Sequence, residues 1–238
     1  MTLSARNIIR LVNRGLEKTT GYRLQPSADL RLRYSRMELL NGFGCNFVVD
    51  AGANIGQWAL KLRKDGYCGE ILSYEPSKLF SKLSKKVASD SLWEARKSAL
   101  LDFEGTTILY YSSNQGLSSS TSKPSRILEH ELGINFPESY PVSAVRLDKE
   151  VVNKENIYLK LDVQGSEMQA LMGAQGILDK IAVVEFESSL IDLYEKESSH
   201  YEISSWLSVY GFKPLQLVIT HWDQDLKTIS LDSIFSRS

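Results

Sequence analysis

Residues 48–56 form the sequence feature that most limits what this chain can fold into. They read VVDAGANIG, an apolar run that ends on Asp50 and is followed by Gly52 and Gly56. Glycines at this spacing allow a tight turn from a strand into a helix, where a ligand can lie against bare backbone. A dinucleotide fold usually carries G-x-G-x-x-G and binds a pyrophosphate there. Because Asp50 would repel phosphate, the segment favours a cationic or hydroxyl-rich ligand, and S-adenosylmethionine is both.

The composition restricts the class of protein only loosely. A chain of 238 residues with a net charge of −1 suits a single domain with an N-terminal extension, and that charge gives no global attraction to nucleic acid. Two cysteines are too few for a disulfide framework. The two cysteines and three histidines do not have the spacing of zinc ligands. No apolar run has the roughly 18–20 residues that cross a bilayer, and no signal peptide is recognisable, so we expect a cytoplasmic protein.

The start of the chain is more basic than the remainder. Its first 40 residues hold eight lysines and arginines against three acidic residues. Helical spacing of the apolar residues predicts an amphipathic helix over 4–18 and a second helix over 29–40. This basic arm could contact a membrane surface or an acidic partner, although solvated helix faces explain it more simply. The break Asn-Gly-Phe-Gly at 41–44 divides a helical extension, 1–44, from the main domain, 45–238.

From residue 47 onward, short apolar runs alternate with helical stretches. This order predicts an α/β domain with a mostly parallel, doubly wound sheet, to which two closing strands add an antiparallel element at one edge. Asn54 is expected to cap the first helix, with Gln57 as its capping-box partner. The predicted strands are 47–50, 70–75, 92–100, 106–111, 143–148, 157–162, 181–187, 213–220 and 227–231, and the further helices are 77–88, 166–171 and 201–210.

Acidic residues stand at the ends of four predicted strands: Asp50, Glu75, Asp162 and Glu185. Open α/β sheets bind ligands at the carboxyl ends of their strands. Buried acids are costly unless they are paired, so four such ends indicate a shared cleft rather than four solvated ends. Glu75 could accept both hydroxyls of a ribose, with helix N-capping as its structural alternative.

A second polar block, YLKLDVQGSE, occupies residues 158–167. Lys160 and Asp162 share one face of a strand, so the lysine can reach the Asp162 carboxylate or a substrate bound beside it. A structural ion pair with Glu185 or Glu75 is the alternative for this lysine.

Residues 112–125 fit no regular element. Half of them are serine, and Gly116 and Pro124 exclude a regular helix or strand. The segment is therefore either a disordered linker or a hydroxyl-rich binding loop.

On the basis of these residues, the chain resembles the FkbM-type methyltransferases. These are S-adenosylmethionine-dependent enzymes with a seven-stranded class I (Rossmann-like) fold. The resemblance rests on the glycine block, Glu-Pro at 75–76 and K-x-D-V-x-G-x-E at 160–167, and it runs from residue 47 to about 217. The family usually has Glu where this chain has Gln164, for which we prefer a structural or polar-contact role. The resemblance implies a cofactor site made of Asp50, Gly52, Asn54, Gly56, Glu75, Pro76, Ser98 and Ala99.

The resemblance also implies O-methylation of a hydroxyl on a sugar, glycan or natural product. Asp162 would take the proton of the acceptor, Lys160 would orient that carboxylate, and Glu185 is the alternate base. A divalent metal held by Asp162, Glu185 and Glu187 is a less favoured alternative. Residues 112–125 would then form a lid over the acceptor.

Two other functions are kept as alternatives. The first is an adenosyl-binding regulatory or scaffold protein that lacks turnover, for which Gln164 is the one hint. The second is an NAD-dependent oxidoreductase, which would require the G-x-G-x-x-G turn that residues 48–56 lack.

Overall fold

The structure is a computed structural model that describes residues 36–130, 132–222 and 228–237. The helix predicted over 4–18, and most of the one predicted over 29–40, lie outside the described residues. Among the helices that are described, none is both long enough and apolar enough to cross a membrane.

A seven-stranded sheet forms the centre of the fold. Its strands are β1 (Phe47–Ala51), β2 (Glu70–Tyr74), β3 (Trp93–Arg96), β7 (Ile157–Leu161), β8 (Ile181–Ser189), β9 (Phe212–Trp222) and β10 (Thr228–Arg237). The strand order is β3-β2-β1-β7-β8-β10-β9. The first five strands of this order run parallel, and β10 is antiparallel to both of its neighbours. This topology confirms the predicted mostly parallel sheet with an antiparallel edge.

Helices cover both faces of the sheet. They are α1 (36–42), α2 (Gln57–Lys64), α3 (Phe80–Val87), α4 (Arg126–His130), α5 (Leu147–Glu150), α6 (Glu167–Gly173) and α7 (His200–Val209), with a 3-10 helix at Gln175–Lys180. Leu40 of α1 and Leu62 of α2 pack in one apolar cluster with Val48. Leu171 of α6 and Leu207 of α7 pack in another.

The central strands are apolar at almost every position because both faces are covered. All five residues of β1 are buried. Val48 packs with the cluster of α1 and α2, whereas the next residue, Val49, packs with the cluster of α6 and α7. A charged side chain can therefore reach solvent only at the ends of these strands.

Three of the predicted strands were wrong in their extent. The closing strand predicted at 227–231 is β10, which continues to Arg237. The run 92–100 is divided into β3 and β4 (Ala99–Leu100), and the strand predicted at 143–148 is instead β6 (Glu138–Val145) followed by α5. β4, β6 and β5 (Gly105–Tyr111) form a second, three-stranded sheet. The reason is a distant partner: β6 pairs along its whole length with β5, a contact that local apolar patterns cannot reveal.

Candidate active site

Two adjoining cavities lie at the carboxyl ends of the parallel strands. The first cavity, of about 350 Å³, is lined by residues that follow β1, β2 and β7, such as Gly52. The second cavity, of about 500 Å³, is lined by residues at the ends of β7 and β8 and by part of the segment 114–134. Leu117, Asp162 and Gln164 line both cavities. Both volumes are typical of small-molecule sites, which span roughly 300–1,000 Å³.

Most of the residues predicted for the cofactor site meet at the first cavity. The ones that line it are Gly52, Asn54, Glu75, Pro76, Ser98 and Ala99. They come from three separate stretches of sequence, which follow β1, β2 and β3. The parallel arrangement brings these strand ends to one edge of the sheet, as the sequence reasoning assumed.

Asp50 and Gly56 do not line the first cavity, which corrects their predicted role. Asp50 is fully buried within β1, with its Oδ1 atom 3.2 Å from Lys160 Nζ. A Cβ atom on Gly56 would lie 2.8 Å from Trp93 and 2.9 Å from Leu83. Gly56 therefore permits close packing of the start of α2 against Trp93 and Leu83. Asp50 supports the site indirectly, through its ion pair with Lys160.

Gly52 forms the floor of the first cavity, and two constraints require a glycine there. Its φ of +76° lies in the left-handed region that favours glycine. A Cβ atom there would lie 1.8 Å from the main-chain oxygen of Asp162. The amide of Gly52 donates to the carbonyl of Tyr74 (3.0 Å), so its backbone is fixed between β2 and β7.

Glu75 is held at the wall of the first cavity by two backbone amides. Asn54 N–H donates to Oε2 (2.7 Å) and Ser77 N–H donates to Oε1 (2.8 Å). Burial raises the pKa of Glu75, and these hydrogen bonds oppose that rise. The predicted capping by Asn54 was wrong, because α2 begins at Gln57 with Gly56 as its N-cap and no side-chain cap. The backbone of Asn54 orients Glu75 instead.

Lys160 is a buried cation between two carboxylates. Its Nζ atom lies 3.2 Å from Asp50 Oδ1 and 3.3 Å from Asp162 Oδ2. Burial alone would lower the pKa of Lys160, but the two carboxylates outweigh it and raise the pKa above the ordinary value. Lys160 thus stays charged and holds Asp162 at the junction of the two cavities. The alternative ion pairs with Glu75 or Glu185 are not the ones that form.

Gln164 connects Asp162 to a second carboxylate. Its Nε2 atom donates to Asp162 Oδ1 (2.8 Å) and to Glu187 Oε2 (3.1 Å). The two carboxylates fix the orientation of the amide, and the Tyr194 hydroxyl shares its one proton between Gln164 Oε1 (3.1 Å) and the carbonyl of Ser118 (2.9 Å). Gln164 also has a φ of +56°, an uncommon conformation for a residue with a side chain. A neutral amide therefore separates two carboxylates at this point.

Glu185 does not face the acceptor side, which corrects its prediction as an alternate base. Arg36 of α1 binds both of its oxygens, and the Tyr158 hydroxyl donates to Oε2. Burial opposes ionisation of Glu185, but the Arg36 guanidinium holds its pKa below the ordinary value. Glu185 lines a third, small cavity of about 120 Å³, which shares Asp162 with the first and second cavities, and it lines neither of those two. Its partner lies 149 residues away in the sequence, so strand position alone was misleading.

The serine-rich segment 112–125 is an ordered wall of both cavities rather than a linker. Ser112 Oγ donates to Asn114 Oδ1 (2.7 Å), and Ser120 Oγ donates to the carbonyl of Gln164. Thr121 Oγ1 lies 2.8 Å from Ser166 Oγ. The hydroxyl groups thus bind the loop to itself and to the turn that follows β7.

Two residues at the site were not found by sequence reasoning. Arg36 was one of eight basic residues in the arm, and no pattern distinguished it from the others. Tyr194 lies in the connection between β8 and α7 and reaches Gln164 only through the fold. Within the described residues, no group of three or more His, Cys, Asp or Glu side chains is arranged to hold a metal ion.

Comparison with known proteins identifies the family. The methyltransferase FkbM domain matches residues 50–214, which is most of the chain. No curated protein sequence shows significant similarity to the chain. The solved N-methyltransferase NodS from Bradyrhizobium japonicum WM9, in complex with S-adenosyl-L-homocysteine, is similar with a TM-score of 0.50, 11% identity, and coverage of 97% of this chain and 98% of that chain. Magnesium protoporphyrin IX methyltransferase from Synechocystis PCC 6803, with bound SAM, has a TM-score of 0.49 and 12% identity over 100% of both chains.

The turn at Gly52 and the carboxylate of Glu75, both at the first cavity, lie within the matched residues. The chain therefore belongs to the FkbM methyltransferase family, whose members are S-adenosylmethionine-dependent enzymes with the class I fold.

Proposed function

We propose that the protein transfers a methyl group from S-adenosylmethionine to a hydroxyl oxygen of a sugar, glycan or other small molecule. The observation that carries this proposal is the position of Asp162, which lines both the first and the second cavity. A group at that junction can touch a donor on one side and an acceptor on the other. Holding both reactants together supplies much of the rate enhancement in such a transfer.

The residues of the first cavity fit the cofactor. The turn at Gly52 presents bare backbone, and each oxygen of Glu75 accepts one amide and keeps capacity for a ribose hydroxyl. Ser98 and Ala99 line the same cavity and would lie beside the adenine. When bound, S-adenosylmethionine supplies an electrophilic methyl group on a sulfonium.

Asp162 is the general base of this proposal. Its side chain is 39% exposed, whereas that of Lys160 is 7% exposed. The carboxylate can therefore contact an acceptor while it stays paired with the buried lysine. Lys160 binds Oδ2 and Gln164 binds Oδ1, which fixes the plane of the carboxylate. The hydroxyl proton of the acceptor would pass to Asp162 as its oxygen takes the methyl group.

Replacing Asp162 tests this function. Asp162→Asn should bind S-adenosylhomocysteine as the wild type does and should transfer labelled methyl groups about 10²–10⁴-fold more slowly, because it cannot accept a proton. The assay is transfer from radiolabelled S-adenosylmethionine to a panel of glycans and small hydroxylated molecules. Asp179→Asn is the matched control, since Asp179 is exposed and precedes β8 at the opposite end of the sheet.

Two results would count against the proposal. Full transfer by Asp162→Asn would remove Asp162 as the base. Cofactor binding without transfer to any acceptor in the panel would favour the adenosyl-binding regulatory or scaffold protein instead.

A further inference from the structure

We propose that the acceptor is an amphipathic molecule: a hydroxyl-bearing head without a negative charge, joined to an apolar portion. This inference rests on the proposed function, because it takes the second cavity as the acceptor site. The second cavity supports it through the contrasting chemistry of its lining segments.

The polar part of the second cavity is acidic. Asp162, Glu167, Glu187 and Glu197 line it, and among its described lining residues there is no lysine or arginine. Lys160 lines the first cavity but not the second, and Asp50 and Asp162 already bind it. A phosphate or carboxylate on the acceptor would therefore meet carboxylates without a lysine or arginine to pair with it.

Glu187 is the strongest part of this argument because its close partners are neutral. Ser230 Oγ donates to Oε1 (3.1 Å) and the Gln164 amide donates to Oε2 (3.1 Å). Among the described residues, the imidazole of His221 is the one possible cation within 4 Å, exposed at the rim with Nδ1 3.9 Å from Oε1, and the charge of Lys160 attracts the carboxylate from farther away. Burial, together with the charge of Asp162, raises the pKa of Glu187 to about 7. Above that pH, a further negative charge beside this group would be repelled, whereas a hydroxyl or ammonium group would be a favourable partner.

The apolar part of the second cavity comes from different segments. Leu128, Leu132 and Ile134 belong to the segment around α4, and Leu193 and Ile229 lie after β8 and in β10. Leu132 is 42% exposed although it is a large apolar residue, and Leu117, at the boundary with the first cavity, is 56% exposed. Apolar surface left open in a cavity is typical of a binding site for an apolar group.

The two parts together orient the acceptor. Asp162 and Glu187 would contact the head, so the reacting hydroxyl would stand beside the base at the junction of the cavities. The apolar portion would extend along Leu128, Leu132 and Ile134. A small, fully polar sugar would leave this apolar surface open to water.

A series of probes with one tail and different heads tests this inference without knowledge of the natural acceptor. The probes are n-octyl glucoside, n-octylammonium and n-octyl phosphate, with free glucose as the tail-less control, all below their micellar concentrations. Dissociation constants are measured at about pH 8, where Glu187 is mostly ionised, by NMR titration of the full chain saturated with S-adenosylhomocysteine. We expect octyl glucoside and octylammonium to bind at least about tenfold more tightly than octyl phosphate, and octyl glucoside at least about tenfold more tightly than glucose.

Glu187→Gln should reduce the penalty against octyl phosphate at least about threefold. Glu195→Gln should leave it unchanged, because that glutamate is exposed, pairs with Lys123 and does not line the cavity. Octyl phosphate binding as tightly as the other probes, or no probe binding, would overturn the inference. Failure of S-adenosylhomocysteine itself to bind would instead contradict the proposed function, so the two failures are distinguishable.

Discussion

Gly52→Ala is the substitution whose effect follows most directly from the geometry of the site. The new Cβ atom would lie 1.8 Å from the carbonyl oxygen of Asp162, so β1 and β7 would have to move apart at their ends. Two hydrogen bonds resist that movement, from Gly52 N to Tyr74 O (3.0 Å) and from Asp162 N to Ala51 O (3.1 Å).

The expected loss of stability can be estimated from these contacts. Alanine in the left-handed conformation of Gly52 costs about 1–2 kcal/mol. Weakening two backbone hydrogen bonds costs about 1 kcal/mol each. The free energy of unfolding should therefore fall by about 3–4 kcal/mol, which a domain with a typical stability of about 5–15 kcal/mol can survive while folded. Because the displaced oxygen belongs to Asp162, binding of S-adenosylhomocysteine should weaken as well.

Urea denaturation followed by circular dichroism measures the free energy of unfolding, and calorimetric titration measures the binding. Gly42→Ala is the matched control, since a Cβ atom at Gly42 meets no atom within 4 Å and its φ is not in the left-handed region. That control should change stability by less than about 1 kcal/mol. If Gly52→Ala behaves like Gly42→Ala in both measurements, the proposed need for glycine at this turn is refuted.

Two further predictions concern buried charges. Gln164→Glu would place a third carboxylate against Asp162 and Glu187. Because neighbouring negative charges raise carboxylate pKa values, the pH below which methyl transfer is lost should rise by about one unit or more. An unchanged pH–rate profile would contradict this prediction. Arg36→Met should lower the free energy of unfolding by about 3–5 kcal/mol, because it leaves Glu185 buried without its cation. Lys78→Met, which breaks an exposed pair, is the control, and equal denaturation midpoints for both variants would refute the structural role of Arg36.

Much of the parallel sheet and half of the site residues could be predicted from the sequence, because both depend on apolar runs and on the residues that directly follow them. Apolar runs buried on both faces marked β1, β2 and β7, and the residues after them, such as Gly52, Glu75 and Asp162, had to meet at one edge. The left-handed backbone of Gly52 is also local, since it follows from a strand-to-helix turn, whereas its close approach to Asp162 depends on the fold.

The remainder depended on distant partners. Glu185 was predicted to face the acceptor because it stands near a strand end, yet Arg36 from α1 neutralises it. Asp50 appeared equivalent to Asp162, but it lies inside β1, which is buried at all five positions, whereas Asp162 follows the end of β7. The second sheet was missed for the same reason, since pairing of β6 with β5 leaves no local signature.

A crystal structure of the protein with S-adenosylhomocysteine tests the central claim most directly. The account predicts the adenosyl ligand in the first cavity, with its ribose hydroxyls hydrogen-bonded to Glu75 and its sulfur towards Asp162. The second cavity should remain open on the other side of Asp162. A ligand bound elsewhere, or bound in the first cavity with its ribose away from Glu75, would contradict the account.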